Sequence, residues 1–188
     1  MRSGLGRQPR EEMTAESVVE ILDLFTAELE AWLDGGWAVD AALGEQRRVH
    51  DDLDVVVRLG DVERLIDVLG RSGFELARGR APKSFELVDD RGRQVDVHPV
   101  AFSASGDGVY LMETDEYWIY PARGFAGEGR ILDRLVRSLT PEVQLLCHTG
   151  YEPHRQSYDD VWALSERFDL PVPDEYRAPR ETYSLRYA

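Results

Sequence analysis

The feature that most constrains the fold is the segment 52–57, in which acidic and apolar residues alternate before a run of valines. In a β-strand, successive side chains point to opposite faces, so Asp52 and Asp54 share one face while Leu53 and Val55 share the other. Two carboxylates on one face repel each other unless water solvates them or hard cations lie between them. Oxygen ligands of this kind suit Mg²⁺. The segment therefore predicts a central strand, over 52–58, with an acidic face suited to a metal ion.

A third carboxylate, Asp96, lies on a second alternating segment whose valines point to the opposite face. A turn signal at residues 89–92 precedes it, and a hairpin there can bring Asp96 beside the first strand, although the sequence alone does not prove that pairing. His98 follows two residues later on the same face, either as a packed polar residue or as a group that orients Asp96 or binds a nucleotide. Three carboxylates on two strands could hold two Mg²⁺ ions and a triphosphate.

A glycine pair, Gly35 and Gly36, precedes a predicted helix over 37–43 that Gly44 ends. The amides of this pair would lie at a helix N-terminus, where free N–H groups and the helix dipole favour anions. Glycine also lets the backbone approach a phosphate because no Cβ is in the way. A plain strand-to-helix turn is the alternative, but the acidic strand that follows favours phosphate binding.

These motifs together resemble the polymerase-β-like nucleotidyltransferase superfamily, whose signature is a glycine turn, an acid-x-acid strand and a lone acid on a later strand. More narrowly, the chain resembles the small nucleotidyltransferases that modify aminoglycosides and lincosamides. The matching pieces are GGWAVD from Gly35, LG at 43–44, HDDLD from His50 and, more weakly, VDVHP at 95–99 and the C-terminal helices.

The resemblance implies an α+β fold, with a mixed sheet flanked by helices and further helices at the C-terminus. It makes the segment 31–34 a short first strand before the glycine turn. The predicted organisation is a disordered leader over 1–12, a nucleotidyltransferase catalytic domain over 13–139, a C-terminal helical segment over 140–173 and an irregular tail over 174–188.

The resemblance also implies the chemistry. Asp52 and Asp54 are expected to hold two Mg²⁺ ions, and Asp96 is expected to complete one metal site and to take the proton from an acceptor hydroxyl. The reaction would move AMP from ATP, or the monophosphate of another nucleoside triphosphate, without a covalent enzyme intermediate. The nucleotide-binding candidates are Gly35, Gly36, Arg48 and Lys83, of which no motif fixes the two basic residues.

The expected acceptor is a hydroxyl of a small molecule similar to an aminoglycoside or a lincosamide. Another metabolite or a protein side chain stays open as an alternative acceptor. A catalytically idle nucleotide-binding module is a further alternative, against which the presence of all three acids argues.

Charge and composition restrict the kinds of molecule that the chain is expected to bind. The net charge of −14 keeps a protein soluble and also favours a cationic small molecule in a cleft. It argues against a nucleic-acid substrate, because phosphate contacts need clustered cations and Lys83 is the single lysine. No apolar run approaches the ~20 residues that span a bilayer. One cysteine, Cys147, excludes an internal disulfide and fits a reducing cytoplasm, while the oligomeric state stays open.

Two local assignments have alternatives. The first amphipathic helix can be capped by Thr14 or by Ser17, each of which has the hydroxyl that a cap needs. Asp40, inside the short helix after the glycine pair, can hold the turn or neutralise Arg47 or Arg48. A structural role is favoured over metal binding.

The C-terminal part is predicted from its helix signals. A last strand over 135–139 leads to Thr140, which caps a helix that has proline at its first position and ends at Gly150. A second helix is predicted over 156–168.

Overall fold

The computed structural model describes residues 12–25 and 29–177. The helices are α1 Ala15–Leu24, α2 Gly35–Leu43, α3 Val62–Arg71, α4 Pro141–Cys147 and α5 Arg155–Phe168. The strands are β1 Ala31–Leu33, β2 Asp52–Arg58, β3 Glu75–Gly79, β4 Phe85–Val88, β5 Gln94–Phe102, β6 Gly108–Leu111, β7 Tyr117–Tyr120, β8 Glu128–Ile131 and β9 Arg134–Arg137. Short 3₁₀ turns occupy Leu59–Asp61, Ala122–Ala126 and Asp174–Tyr176.

A mixed seven-stranded sheet forms the centre, in the order β1-β2-β5-β4-β3, with β6 and β7 continuing from β5. The β2–β5 pair is parallel, and the other neighbours are antiparallel. The first half of β5 pairs with β4 and its last residues pair with β6. This arrangement confirms the predicted α+β fold with a mixed sheet and C-terminal helices, and it confirms the 31–34 segment as a first strand.

The sheet is held by its apolar residues. Val55, Val56 and Val57 of β2 are fully buried, as expected for a central β-branched strand. Val55 and Val57 pack in a cluster that includes α1 and α3, whereas Val56 packs on the other side with Trp32 and Tyr120. Because β2 is apolar on both sides beyond Asp54, its position in the sheet is strongly specified.

Two ends of helices differ from the prediction. α2 begins at Gly35 instead of residue 37, because Asp34 accepts a hydrogen bond from the Gly35 N–H and caps the helix. α4 ends at Cys147, three residues before Gly150. For α1 the structure selects Thr14 as the cap, whose Oγ1 accepts from the Ser17 N–H at 3.2 Å.

Residues near both limits of the described part of the chain add to the core. Met13 is fully buried, and its N–H donates to the carbonyl of His50. Tyr176, in the segment predicted as an irregular tail, is fully buried and donates its hydroxyl to the carbonyl of His148 at 2.7 Å. The predictions for residues 1–11 and 178–188 lie outside the described residues, and the proposed domain boundaries stay a prediction. None of the helices in the described ranges is long and apolar enough to cross a membrane.

We predict that Gly129→Ala destabilises the fold, because a Cβ at this β8 glycine would lie 2.6 Å from the backbone of Ala41 in α2. Overpacking of this kind costs about 1–3 kcal/mol, which lowers the melting temperature by roughly 2–4 °C per kcal/mol. The matched control is Gly70→Ala in α3, where a Cβ meets nothing within 4 Å. Alanine there should raise the melting temperature slightly, so equal effects of the two substitutions in a thermal melt would contradict the prediction.

Candidate active site

Two neighbouring parallel strands bring the acidic residues together. Asp52 and Asp54 lie on one face of β2, with the fully buried Leu53 and Val55 on the other. The register pairs Asp54 directly with Asp96 of β5. The sequence thus predicted which residues share a face, and the structure adds that the two strands are direct neighbours.

The surroundings of these carboxylates raise their pKa values. Burial, reinforced by the carboxylates of Asp52, Asp34 and Asp96, raises the pKa of Asp54 to about 8, against the opposing effect of His98. Burial also raises the pKa of Asp96 to about 6, with Asp52 adding to the shift, although Gln94 donates a hydrogen bond to Asp96 at 2.7 Å and opposes it. Below these pKa values the metal-free site holds protons where a cation could bind.

The carboxylates fit the divalent ion that the resemblance implies. Within residues 12–25 and 29–177, no three His, Cys, Asp or Glu side chains form a complete metal-binding cluster by themselves. Mg²⁺, however, is usually held by one or two carboxylates together with substrate phosphates and water. The all-oxygen pair of Asp54 and Asp96 therefore suits an ion whose coordination a nucleotide completes.

The glycine turn lies against this pair. Gly35 has a φ of +60°, which favours glycine, and a Cβ there would overlap the carboxylate of Asp54. A Cβ at Gly36 would overlap the guanidinium of Arg48 and the ring of His50. Both positions thus need glycine because polar side chains lie directly against the backbone.

A cavity of about 750 Å³ opens in front of the turn. One end is formed by Gly35, Gly36 and Arg48, together with residues of α4 and α5. The other end is formed by the β6–β7 hairpin, which contributes Tyr110, Met112, Glu113, Glu116 and Trp118. Asp54 and His98 also line the cavity. It therefore has a glycine end and an aromatic, acidic end.

Asp96 borders a second, small cavity of about 60 Å³. His98 and Glu113 line both cavities, which places Asp96 on the side of the acidic end. The His98 ring stacks on Tyr110 at a centroid distance of 5.4 Å.

The two predicted basic residues are placed differently. Arg48 lines the glycine end and pairs with Asp160 of α5 at 3.0 Å. Lys83 is not brought to this cavity: its ammonium pairs with Asp115 at 2.6 Å and donates to the carbonyl of Glu113. Its nucleotide-binding role stays a prediction that this placement does not support.

Asp34 is a residue that the sequence reasoning missed. Its carboxylate accepts hydrogen bonds from the Gly35 N–H at 2.8 Å, from Gln144 at 2.9 Å and from the Tyr120 hydroxyl at 3.1 Å. Although burial alone would raise the pKa of Asp34, the neighbouring His98 and these donors outweigh it and lower the pKa. The only signal in the sequence was an acid directly before two glycines, at a cap position.

Asp40 has a different partner from those considered. It contacts the His50 ring at 2.5 Å, and both side chains are buried. The expected alternatives were the turn itself, Arg47 or Arg48. A structural role is thus retained, but the pair joins α2 to the start of β2 instead of neutralising an arginine.

Comparisons with known proteins agree with this geometry. The model of the aminoglycoside-2''-adenylyltransferase family matches residues 17–164. A lincosamide resistance protein of Staphylococcus haemolyticus is 28% identical over 150 residues, which cover 79% of this chain and 92% of that protein. A 2''-aminoglycoside nucleotidyltransferase of Escherichia coli is 44% identical over 45 residues, which cover 22% of this chain and 25% of that protein.

Solved structures extend the likeness to the fold. A lincosamide antibiotic adenylyltransferase with lincomycin bound superposes with a TM-score of 0.72 at 28% identity, covering 82% of this chain and 98% of that one. The aminoglycoside enzyme ANT(2")-Ia, in complex with adenylyl-2"-tobramycin, gives a TM-score of 0.66 at 19% identity, covering 93% and 98%, which supports the fold alone. Nucleotidyltransferases of this kind use a nucleoside triphosphate and a divalent metal ion. The chain belongs to the aminoglycoside-2''-adenylyltransferase family and is a nucleotidyltransferase.

Proposed function

We propose that the chain transfers a nucleoside monophosphate, AMP from ATP, onto a hydroxyl of a lincosamide- or aminoglycoside-like antibiotic. The observation that carries the proposal is the in-register pair of Asp54 and Asp96 beside a glycine turn. Asp54 and the turn line the cavity of about 750 Å³, and Asp96 borders the small cavity that shares His98 and Glu113 with it. Support for the acceptor class comes from the relatives, which are a lincosamide resistance protein and a 2''-aminoglycoside nucleotidyltransferase.

The triphosphate is placed at the glycine end. The N-terminus of the nine-residue helix α2 lies there, and helix N-termini favour anions. Because the Gly35 N–H is donated to Asp34, the amides that follow it are the ones proposed to meet the phosphates. Arg48 supplies a fixed positive charge at the same point. Gly35 and Gly36 let the phosphates approach the backbone closely.

The three acids are the proposed metal ligands. Asp52, Asp54 and Asp96 would hold two Mg²⁺ ions, which when bound neutralise charge on the triphosphate and on the pyrophosphate leaving group. The negative charge of Asp52 helps to raise the pKa of Asp54 and that of Asp96. Its position at the start of β2 makes it the outer member of the group.

Asp96 is assigned as the general base. It accepts the proton of the acceptor hydroxyl while that oxygen forms a bond to the α-phosphorus and the bond to the β-phosphate oxygen breaks. A base works best when its pKa lies near the operating pH, and in the metal-free protein the pKa of Asp96 is raised to about 6. Pyrophosphate leaves, and no bond to the enzyme is formed.

The acceptor is placed at the aromatic, acidic end. Tyr110, Met112 and Trp118 offer an apolar wall, and Glu113 and Glu116 add negative charge. Such a surface suits a molecule that has an apolar face and carries ammonium groups. The net charge of the chain, −14, attracts the same kind of molecule over a longer range.

A transfer screen tests this function. The purified chain is incubated with Mg²⁺, each nucleoside triphosphate in turn and a panel of lincosamides and aminoglycosides. The mass of each acceptor is then measured by mass spectrometry. The expected result is one acceptor class that gains one nucleoside monophosphate, with stoichiometric pyrophosphate. Pyrophosphate release with a different acceptor would move the proposal to another metabolite. Nucleotide binding without transfer to any acceptor would leave the catalytically idle nucleotide-binding module.

Asp96→Asn should abolish most transfer while preserving nucleotide binding. The amide cannot accept the hydroxyl proton, and loss of a general base lowers kcat by typically ~10²–10⁴-fold. Steady-state kinetics with the acceptor found in the screen measure the effect. Asp90→Asn, at an exposed acid in the turn before β5, serves as the control and should keep full activity. An Asp96→Asn enzyme within about threefold of wild-type kcat would refute the assignment of the base.

Gly35→Ala should disable the site for a reason that Gly44→Ala does not share. Both glycines have positive φ, +60° and +79°, so both alanines strain the backbone by about 1 kcal/mol. At Gly35 the new Cβ also overlaps the Asp54 carboxylate, whereas at Gly44 it meets nothing within 4 Å. We expect similar melting temperatures but a kcat/KM lower by on the order of 10²-fold for Gly35→Ala alone. Comparable kinetics of the two variants would contradict this.

Asp54→Asn should stabilise the metal-free protein, increasingly so as the pH rises. Because the pKa of Asp54 is raised to about 8, the folded chain keeps a proton that the unfolded chain loses near pH ~4, so wild-type stability falls across this interval. The amide removes that loss, and we expect a melting temperature at least ~2 °C higher in EDTA near pH ~8.5, with little gain near pH ~4.

The same variant should lose the stabilisation that Mg²⁺ with a non-hydrolysable ATP analogue gives to the wild type. Asp51→Asn, at an exposed acid near Asp54, is the control. It should neither raise the melting temperature at high pH nor lose the stabilisation by Mg²⁺ and the analogue. A thermal-shift series over pH, with and without Mg²⁺ and the analogue, reads both effects. A pH-independent difference between Asp54→Asn and wild type would contradict the ionisation that we describe.

A further inference from the structure

Helix α5 reaches the glycine end of the cavity through one buried carboxylate. Asp160 accepts hydrogen bonds from Arg48 through both of its oxygens, at 3.4 Å from Nε and 3.0 Å from Nη2. The two residues are 112 positions apart in the sequence. This contact therefore ties the loop before β2 to the C-terminal helices at the edge of the site.

The same guanidinium touches the glycine turn. A Cβ at Gly36 would overlap Nη2 of Arg48, which is the nitrogen that Asp160 holds. Arg48 is thus clamped between a carboxylate on one side and the backbone of the turn on the other. An arginine loses rotamer freedom when it is ordered, and here that ordering precedes ligand binding.

A second cation lies beside the first. His148, in the turn after α4, donates from Nδ1 to the carbonyl of Gln144 at 2.8 Å and has Nε2 3.9 Å from Asp160. Although burial alone would lower the pKa of His148, Asp160 and the Gln144 carbonyl outweigh it and raise the pKa. Arg48 and a charged His148 would repel each other, and the carboxylate between them removes that repulsion.

We propose that Asp160 is a positioning residue for the nucleotide: it holds Arg48 against the glycine turn and His148 beside it, so that both meet the β- and γ-phosphates. Helix α5 then belongs to the nucleotide site. The inference rests on the proposed nucleotidyl transfer and assigns to the terminal phosphates a subsite shared between the sheet and the C-terminal helices.

The sign of the effect follows from the charges. Asp160 is itself an anion near the phosphates, and removing an anion alone would favour a nucleotide. Without it, however, Arg48 loses the contact that holds it against the glycine turn, and His148 loses one of the groups that raise its pKa. The orientation of Arg48 toward the phosphates is lost, so binding weakens.

The test is calorimetric titration of the full chain with Mg²⁺ and a non-hydrolysable ATP analogue, and separately with AMP. Asp160→Asn should weaken binding of the ATP analogue by about tenfold or more and binding of AMP by less than about twofold. A general loosening of α5 would weaken both ligands, so the ratio of the two affinities separates positioning from structural support.

Four further variants make the result specific. Arg48→Met should lower the ratio of the affinity for the ATP analogue to the affinity for AMP. The double variant with Asp160→Asn should have the same ratio as Arg48→Met alone. Glu166→Gln removes an exposed acid from the same helix, and Leu164→Ala weakens its buried side; neither should change the ratio. An unchanged or tighter affinity of Asp160→Asn for the ATP analogue, or additivity with Arg48→Met, would overturn the inference.

The outcome also separates this inference from the function on which it rests. If the wild type binds the ATP analogue in preference to AMP and Asp160→Asn retains that preference, only the role of Asp160 fails. If the wild type shows no such preference and no transfer, the proposed function itself fails.

Discussion

The parallel pairing of β2 with β5 is the constraint on which the site depends. It places Asp54 opposite Asp96, where burial, together with neighbouring carboxylates, raises the pKa of both side chains. One position further along, the same register pairs Val55 with Val97, and both valines are fully buried. Apolar packing therefore holds the carboxylates together although their electrostatics oppose it. A cation that relieves the repulsion binds to a site that the core has already built.

Asp34 extends this arrangement from the sheet to the rest of the molecule. One carboxylate binds Gly35 of the turn, Gln144 of α4 and Tyr120 of β7, so three elements meet at a single buried anion. Loss of one donor would leave part of a buried charge unsatisfied, which is costly. The glycine turn is thereby fixed relative to the hairpin that forms the aromatic, acidic end. The two ends of the cavity are consequently parts of one rigid frame.

Local patterns predicted the strand with Asp52 and Asp54, because a period of two depends only on neighbouring residues. They could not assign the partner of Asp160, since a contact across 112 residues depends on how α5 docks. Lys83 shows the same limit: the sequence makes it a candidate as the single lysine, but its loop directs it to Asp115. Family resemblance supplied Asp96 as the third acid, whereas the direct pairing of β2 with β5 came from the structure. Neither periodicity nor the resemblance supplied the role of Asp34.

An acidic chain that binds a polyanionic nucleotide needs its charges separated in space. Screening limits exposed charges to about 10 Å at moderate salt, so the overall charge of −14 does not decide what binds inside a cleft. At the glycine end, Arg48 and His148 flank Asp160, and an N-terminus of a helix adds positive potential. At the other end, Glu113 and Glu116 stay negative. In the proposed reaction this polarity would orient both substrates, with the phosphate tail toward α5 and a cationic acceptor toward the hairpin.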